Sequence, residues 1–352
     1  MRLTRPPHSS YLLIHFLMSL VAAIGLSVGS ASATDNEKTW YVNIAMPNDS
    51  GDGHSPGQAK KFLTSAASLS AEGDTIYIAP GVYTAANPKS GQHWIGSGWG
   101  TVLQKTTGGV GLGAAVNLSG RSSVTIENMK VQGTHPDSGQ GILSSSCSAC
   151  VLRRLWVDGP LDGGRLDGFH NGLIENCLAT SDFDAWVISG RCTTVRNTMG
   201  ITSGARSGNQ MACFKSATSE DTTDIQVTYL NCQAYCLRST SNAAGVSGWV
   251  VDGRCVSLLE NCTALIMSTA PGEAGEMSGI LARTNGVCMV SGNCVLRAEN
   301  SGPGGAVDLK QTANAQLQVD TSTTRYNTTS GSISVRLPNE APGTSGGVTI
   351  VP

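Results

Sequence analysis

One seven-residue block occurs twice in this chain, and the repeat limits what it can fold into. Trp186-Val187-Ile188-Ser189-Gly190-Arg191-Cys192 recurs as Trp249-Val250-Val251-Asp252-Gly253-Arg254-Cys255. A shorter signal runs alongside it: an apolar residue, a variable residue, then Asn and often Cys. It is present at Asn128, Asn176-Cys177, Asn197, Asn231-Cys232, Asn261-Cys262 and Asn293-Cys294, with Arg154 filling one slot. From Asn128 onward the spacings are 26, 22, 21, 34, 30 and 32 residues. Periods of this size mark a stack of similar units, each unable to bury its apolar face alone.

Each unit holds short β-type runs separated by turn residues. Around Asn176 these are Gly172–Glu175, a bend at Asn176, Cys177–Thr180, a loop Ser181–Asp184, and Ala185–Ser189. Such runs are too short for a stable helix or an isolated hairpin. Stacked on equivalent runs above and below, each completes its backbone hydrogen bonds, which is the arrangement of a parallel β-helix. Asn suits the bend because it tolerates left-handed backbone angles. Composition agrees. Charged residues are 14% of the chain, against about 25% in ordinary globular proteins. The 43 glycines among 352 residues suit many turns. A formal charge of −2 excludes a basic nucleic-acid binder.

Arg2 and Arg5, the apolar run Leu12–Val28 and Ala31-Ser32-Ala33 read as a cleaved secretory signal over residues 1–33. The expected location is therefore secreted, periplasmic or cell-surface, with no transmembrane segment in the mature chain. The eleven cysteines form an odd set. Cys177, Cys232, Cys262 and Cys294, and a second column of Cys192, Cys255 and Cys288, are expected to point inward as packed thiols. Neighbouring parallel strands are poorly suited to disulfides.

Ala59–Leu69 fits an amphipathic helix of about three turns that would cap the open end of the stack. Residues 34–75 are thus an N-terminal strand and capping helix, and 76–352 the β-helix with a C-terminal coil or cap.

Trp40-Tyr41-Val42, Asp49–Gly57, the short helix, and Glu72-Gly73-Asp74-Thr75-Ile76-Tyr77-Ile78-Ala79-Pro80-Gly81-Val82-Tyr83 resemble the opening of pectate-lyase-like β-helix proteins. The resemblance implies an all-β, single-stranded right-handed parallel β-helix with a short N-terminal capping α-helix. It also implies polysaccharide lying along the strand before the Cys192-type bend. The superfamily holds lyases, hydrolases, epimerases and proteins without known chemistry, so activity must be argued from the site. Neither the paired Asp with Gly-His-Gly of polygalacturonases nor the Arg-x-Pro-x-x-Arg of well-known pectate lyases is present.

That strand aligns as Gly141–Ser145, Arg165–Phe169, Ala185–Ser189, Met211–Lys215, Gly248–Asp252, Gly279–Arg283 and Ala306–Lys310. Alternation puts Trp186, Ile188, Trp249, Val251, Ile280 and Leu309 inward, and Ser189, Lys215, Asp252, Arg283 and Lys310 outward. Lys215 would serve as a base, Arg283 would neutralise a uronate, and Asp252 would orient substrate, in β-elimination from an acidic glycan. Asp182, Asp184, Asp308 and Lys310 would bind substrate, and Asp184 with Asp252 would hold Ca²⁺ if a metal does the neutralising.

Three readings stay open: a lyase, a glycoside hydrolase using Asp184 and Asp252, and a non-catalytic surface protein in which the charges form a solvated ladder. Asp158, Asp162, Asp167 and His170 read as turn residues or a Ca²⁺ loop without EF-hand spacing. Gly108–Gly113 lacks the Lys-Ser/Thr of a phosphate loop, so no nucleotide is expected. A monomer is expected, with polysaccharide as partner and no nucleic acid.

Overall fold

The computed structural model describes residues 37–105, 113–136, 139–206, 210–218, 224–239, 244–304, 306–312 and 314–320, with the backbone of Arg325–Asn327, Val335–Arg336 and Val348–Val351. The expected signal over 1–33 and most of the glycine-rich stretch near 110 fall outside these residues. Contacts divide the chain into Met1–Glu37 and Lys38–Pro352, and everything below concerns the second unit.

The described residues of Lys38–Pro352 form a right-handed parallel β-helix. Among the described residues an eight-stranded front sheet runs through Gly113–Asn117, Gly139–Ser144, Asp162–Leu166, Asp184–Ile188, Met211–Thr218, Val246–Gly253, Met277–Ala282 and Ala306–Gln311. Most other strands join a 21-stranded sheet that folds over along the Asn bends. One coil shows the plan: Asp184–Ile188 in front, Thr193–Arg196 on the middle limb, a bend at Asn197, then Met199–Thr202 on the rear limb.

The bend residues share one edge. Asn128, Asn176, Asn197, Asn231 and Asn261 have φ of 60°, 53°, 50°, 52° and 54°, and Arg154 takes the same conformation at 51°. Glu175 pairs with Arg196, Arg196 with Leu230 and Leu230 with Glu260, so the Asn residues that follow them are stacked. In the last repeat the bend falls on Gly292 (φ 68°), one residue before the expected Asn293. The Asn261 side chain accepts the Asn293 N–H at 2.8 Å, tying the shifted turn to the column.

The lumen is lined by apolar and aromatic side chains. Trp186, Phe214 and Trp249 stack in register, followed by Ile280 and Leu309. The Phe214 and Trp249 rings lie 5.3 Å apart and nearly parallel, with Tyr229 edge-on to both. Such offset pairs add about 0.5–1.5 kcal/mol to simple burial.

All eleven cysteines are free thiols. Cys177, Cys232 and Cys262 donate to main-chain carbonyls of the bend and the preceding coil, and the Cys294 sulfur accepts the Cys262 N–H. Burial pushes the Cys177 and Cys294 thiols up to about 12. Cys192 departs from the expected inner column. It is exposed, because it sits at a positive-φ corner (55°) where the chain turns outward.

The capping helix is shorter than expected, Leu63–Leu69. Lys60 is held in extended pairing with Val42, and the Asp49 carboxylate accepts the Lys61 and Phe62 N–H groups. The helix therefore starts only at Leu63. It buries Leu63, Ala66 and Ala67, while Phe62 and Leu69 stay exposed.

Candidate functional site

Two carboxylates meet on the front sheet where alternation breaks at the same place in neighbouring strands: Ala185 and Trp186 are consecutive core residues, as are Cys213 and Phe214. Gly163 and Gly164 both face the lumen. A Cβ on Gly164 would lie 2.4 Å from the Trp186 ring, and one on Gly163 would lie 2.6 Å from the Ala185 carbonyl. With two inward residues in a row, Asp162 and Arg165 both face outward from the same strand. Asp162 pairs in direct register with Gln140 on one side and Asp184 on the other. The column continues through Ala212, Ser247 and Ser278. Adjacent strands stand about 4.8 Å apart, which brings the two carboxyl groups side by side.

Asp162 and Asp184 are 1% and 2% exposed. Gln140 Nε2 donates to Asp162 Oδ2 at 2.8 Å, and Arg165 Nη1 lies 3.9 Å from the same oxygen. Asp184 Oδ1 accepts the Ala212 N–H at 2.8 Å, and Lys215 Nζ stands 3.6 Å from Oδ2. Burial lifts the Asp184 carboxyl to about 6; the Asp162 charge pushes the same way and Lys215 pulls back. Asp162 is also held above the ordinary carboxylate range, by burial first, against the Gln140 hydrogen bond and the Arg165 charge. Arg165 and Lys215 are the partly exposed members and mark the open side. Downstream, Ala212, Val250 and Leu281 form a small buried apolar cluster separate from the lumen.

The expected triad of Lys215, Asp252 and Arg283 is not assembled. Lys215 pairs with Val187 and Val250, and Asp252 with Ala217. The sequence alignment slips by two positions in this strand, because Phe214 is the counterpart of Trp186 and Trp249. That aromatic column was the signal available in the sequence. Arg283 does neighbour Asp252, contacting Oδ2 through Nε at 2.9 Å and Nη2 at 2.8 Å. Lys310 is shifted in the same way; it pairs with Leu281 and its ammonium lies 2.7 Å from Glu276. Asp308 turns inward, where its carboxylate accepts the Ala298 N–H. Asp182 is exposed at the turn before Asp184 and accepts the Ser203 hydroxyl. The Asp162–Gln140–Arg165 group was missed because the strand was begun at Arg165, whereas it starts at Asp162.

Asp184 and Asp252 do not fit a shared Ca²⁺. Asp184 is committed to Ala212 and Lys215, and Asp252 to Gly253 and Arg283. Among the described residues no three His, Cys, Asp or Glu are grouped to hold a metal ion, and no helix is long and apolar enough to cross a membrane.

No family model matches the sequence, and no curated protein matches it. Solved structures do match. Pectate lyase Pel9A is 13% identical, with 79% of this chain and 78% of that chain covered and a TM-score of 0.53. Pectin methylesterase from carrot is 12% identical, covering 86% and 91%, with a TM-score of 0.50. The A-module of the Azotobacter vinelandii mannuronan C-5 epimerase AlgE6 is 15% identical, covering 75% and 82%, at 0.45. Together with the parallel coils, the first two show the fold class. The chain has a right-handed parallel β-helix fold like that of pectate lyase Pel9A.

Proposed function

We propose that the protein is an exported polysaccharide-modifying hydrolase that cleaves carboxylic esters on a glycan, using Asp162 and Asp184. The observation that carries this is the in-register pair of buried carboxylates, one with its pKa raised to about 6. Two acids in unequal surroundings supply one anion and one proton donor. Gln140 and Arg165 favour the anion on Asp162, and burial favours the acid on Asp184.

The reaction follows from these roles. An Asp162 oxygen bonds to the acyl carbon, and the amide of Gln140 faces the developing oxyanion. The acyl–oxygen bond to the alcohol breaks as Asp184 gives its proton to the departing oxygen. Water then loses a proton to Asp184 and attacks the acyl group. The acid is released, Asp162 returns as carboxylate and Asp184 is protonated again. Both carboxylates rise from one face of one sheet, which suits attack and protonation at neighbouring atoms of a single ester.

β-Elimination by Lys215 and Arg283 is less well supported. Lys215 faces a carboxylate, and Arg283 is tied to Asp252 a coil away. Glycosidic hydrolysis by Asp184 and Asp252 lacks a facing pair. The fold neighbours named for pectin support a glycan as the material. The N-terminal signal supports export, with a mature N-terminus just after Ala33.

The test is to incubate the mature protein with methyl-esterified and acetylated polysaccharides. Released alcohol, released acid, new reducing ends and unsaturated products are followed in parallel. Ester release that disappears in Asp162→Asn is expected. Reducing ends or unsaturated product without ester release would replace this reading, and no product from any substrate would leave a binding scaffold.

A further inference from the structure

A described groove lies away from the carboxylate pair. It lies on the outer face of the rear limb and encloses about 520 Å³. Its floor is one outward row on successive coils: Gln132, Asp158, Thr180, Ile201 and Tyr235, each in register with the next. Five strands at about 4.8 Å make a trough about 19 Å long, enough for several pyranose units. The row is polar at one end and apolar at the other, where Leu237 beside Tyr235 is 50% exposed. The rim carries Asp182 and Ser203.

Charge selects the occupant. Asp158 is already satisfied, by Lys130 at 3.4 Å, Gln132 at 3.0 Å and Thr180 at 2.7 Å. Asp182 is exposed, bonded to the Ser203 hydroxyl, and paired with no cation among the described residues. No Lys or Arg lines the trough. An anionic chain would therefore meet the Asp182 carboxylate, with Lys130 already held by Asp158. The Tyr235 hydroxyl has no hydrogen-bond partner among the described residues, so an aromatic ring, an aliphatic neighbour and unused polar atoms all face the same space. Sugar C–H faces pack on such rings while hydroxyls take the polar groups.

We infer that this trough is a binding site for an uncharged oligosaccharide, separate from the front-sheet carboxylates. The sugar ring packs on Tyr235 and Leu237. Its hydroxyls bond to Asp182, Ser203 and the Tyr235 hydroxyl. Only the bend from Thr180 to Asp184 separates trough from carboxylates, so a long chain held here is anchored beside the front sheet. Binding in the trough does not depend on any reaction there.

Titration calorimetry on the full chain tests this, using neutral oligosaccharides from several backbones and fully de-esterified oligouronates as the anionic arm. Saturable binding of at least one neutral oligomer is expected, with oligouronates weaker by tenfold or more. Tyr235→Ala should weaken neutral binding by about tenfold, and Asp182→Lys should improve oligouronate binding. Both side chains point to solvent, so thermal unfolding should match the parent. The inference is overturned if no neutral oligomer binds, if oligouronates bind at least as well, or if Tyr235→Ala binds like the parent. The Asp162→Asn protein should bind as the parent does, so loss of ester hydrolysis and loss of trough binding can be told apart.

Discussion

Asp162 and Asp184 occupy the same position on consecutive coils, in direct register and almost fully buried, each steadied by a different partner: Gln140 for the first, Lys215 for the second. Two acids forced together in a low-dielectric setting cannot both ionise without cost. That relationship dictates much of what can be measured on this protein.

Stability should fall as pH rises through the Asp184 transition. Its folded pKa, about 6, lies above the ordinary aspartate value of 3.8. A raised folded pKa means the native state binds the proton more tightly, so the contribution is complete below about 4 and lost as pH passes 6. A shift of this size corresponds to roughly 3 kcal/mol. Urea unfolding across that window should show the decline, and Asp184→Asn should remove most of it. A variant with the parent's full pH slope would assign the effect elsewhere.

Lys215 holds the Asp184 pKa down, so Lys215→Met should raise it further. Carboxyl-carbon NMR on the two proteins reads this directly. Arg283→Ala, which disturbs only the Asp252 pair, should leave the Asp184 titration where it is. Equal shifts in both variants would contradict the separation of the two charge groups.

The Arg238–Glu273 pair should be costly to break. Both residues are buried, and Arg238 also donates to the carbonyls of Gly204 and Ala244, joining three turns between rear limb and front sheet. Arg238→Ala leaves a buried carboxylate uncompensated, which costs about 3–5 kcal/mol. Chemical denaturation should show that loss, and replacing both partners by Met should cost less than Arg238→Ala. A stable single variant would mean that water reaches Glu273.

Thiol reactivity should separate Cys192 from the rest. It is exposed, whereas the other ten are buried. A thiol reagent should label one site quickly in the native protein and eleven after denaturation without reductant. Fewer than eleven would show that some columns have oxidised to disulfides.

Much of the coil was legible before any coordinates. Positive φ at Asn128, Asn176, Asn197, Asn231 and Asn261 is what a stacked Asn bend requires. Trp186, Ile188, Trp249, Val251, Ile280 and Leu309 are all buried as alternation predicts. Local pattern suffices there, because a bend residue and a two-residue period are properties of a short stretch of chain. The Lys215 neighbourhood was not legible. Its strand follows a loop of different length, and a shift of two positions preserves inward and outward alternation while changing every cross-strand neighbour.

The amino-acid order alone determined that this chain stacks into coils, where they bend and which side chains fill the lumen. The tertiary structure decided which outward residues meet. Consecutive inward residues at 163–164 and 185–186 place Asp162 beside Asp184, and Phe214 stands in register between Trp186 and Trp249 so that Lys215 faces Asp184 rather than Asp252. Register between coils is settled by packing in the lumen, summed over many contacts, and no single segment of sequence carries that sum.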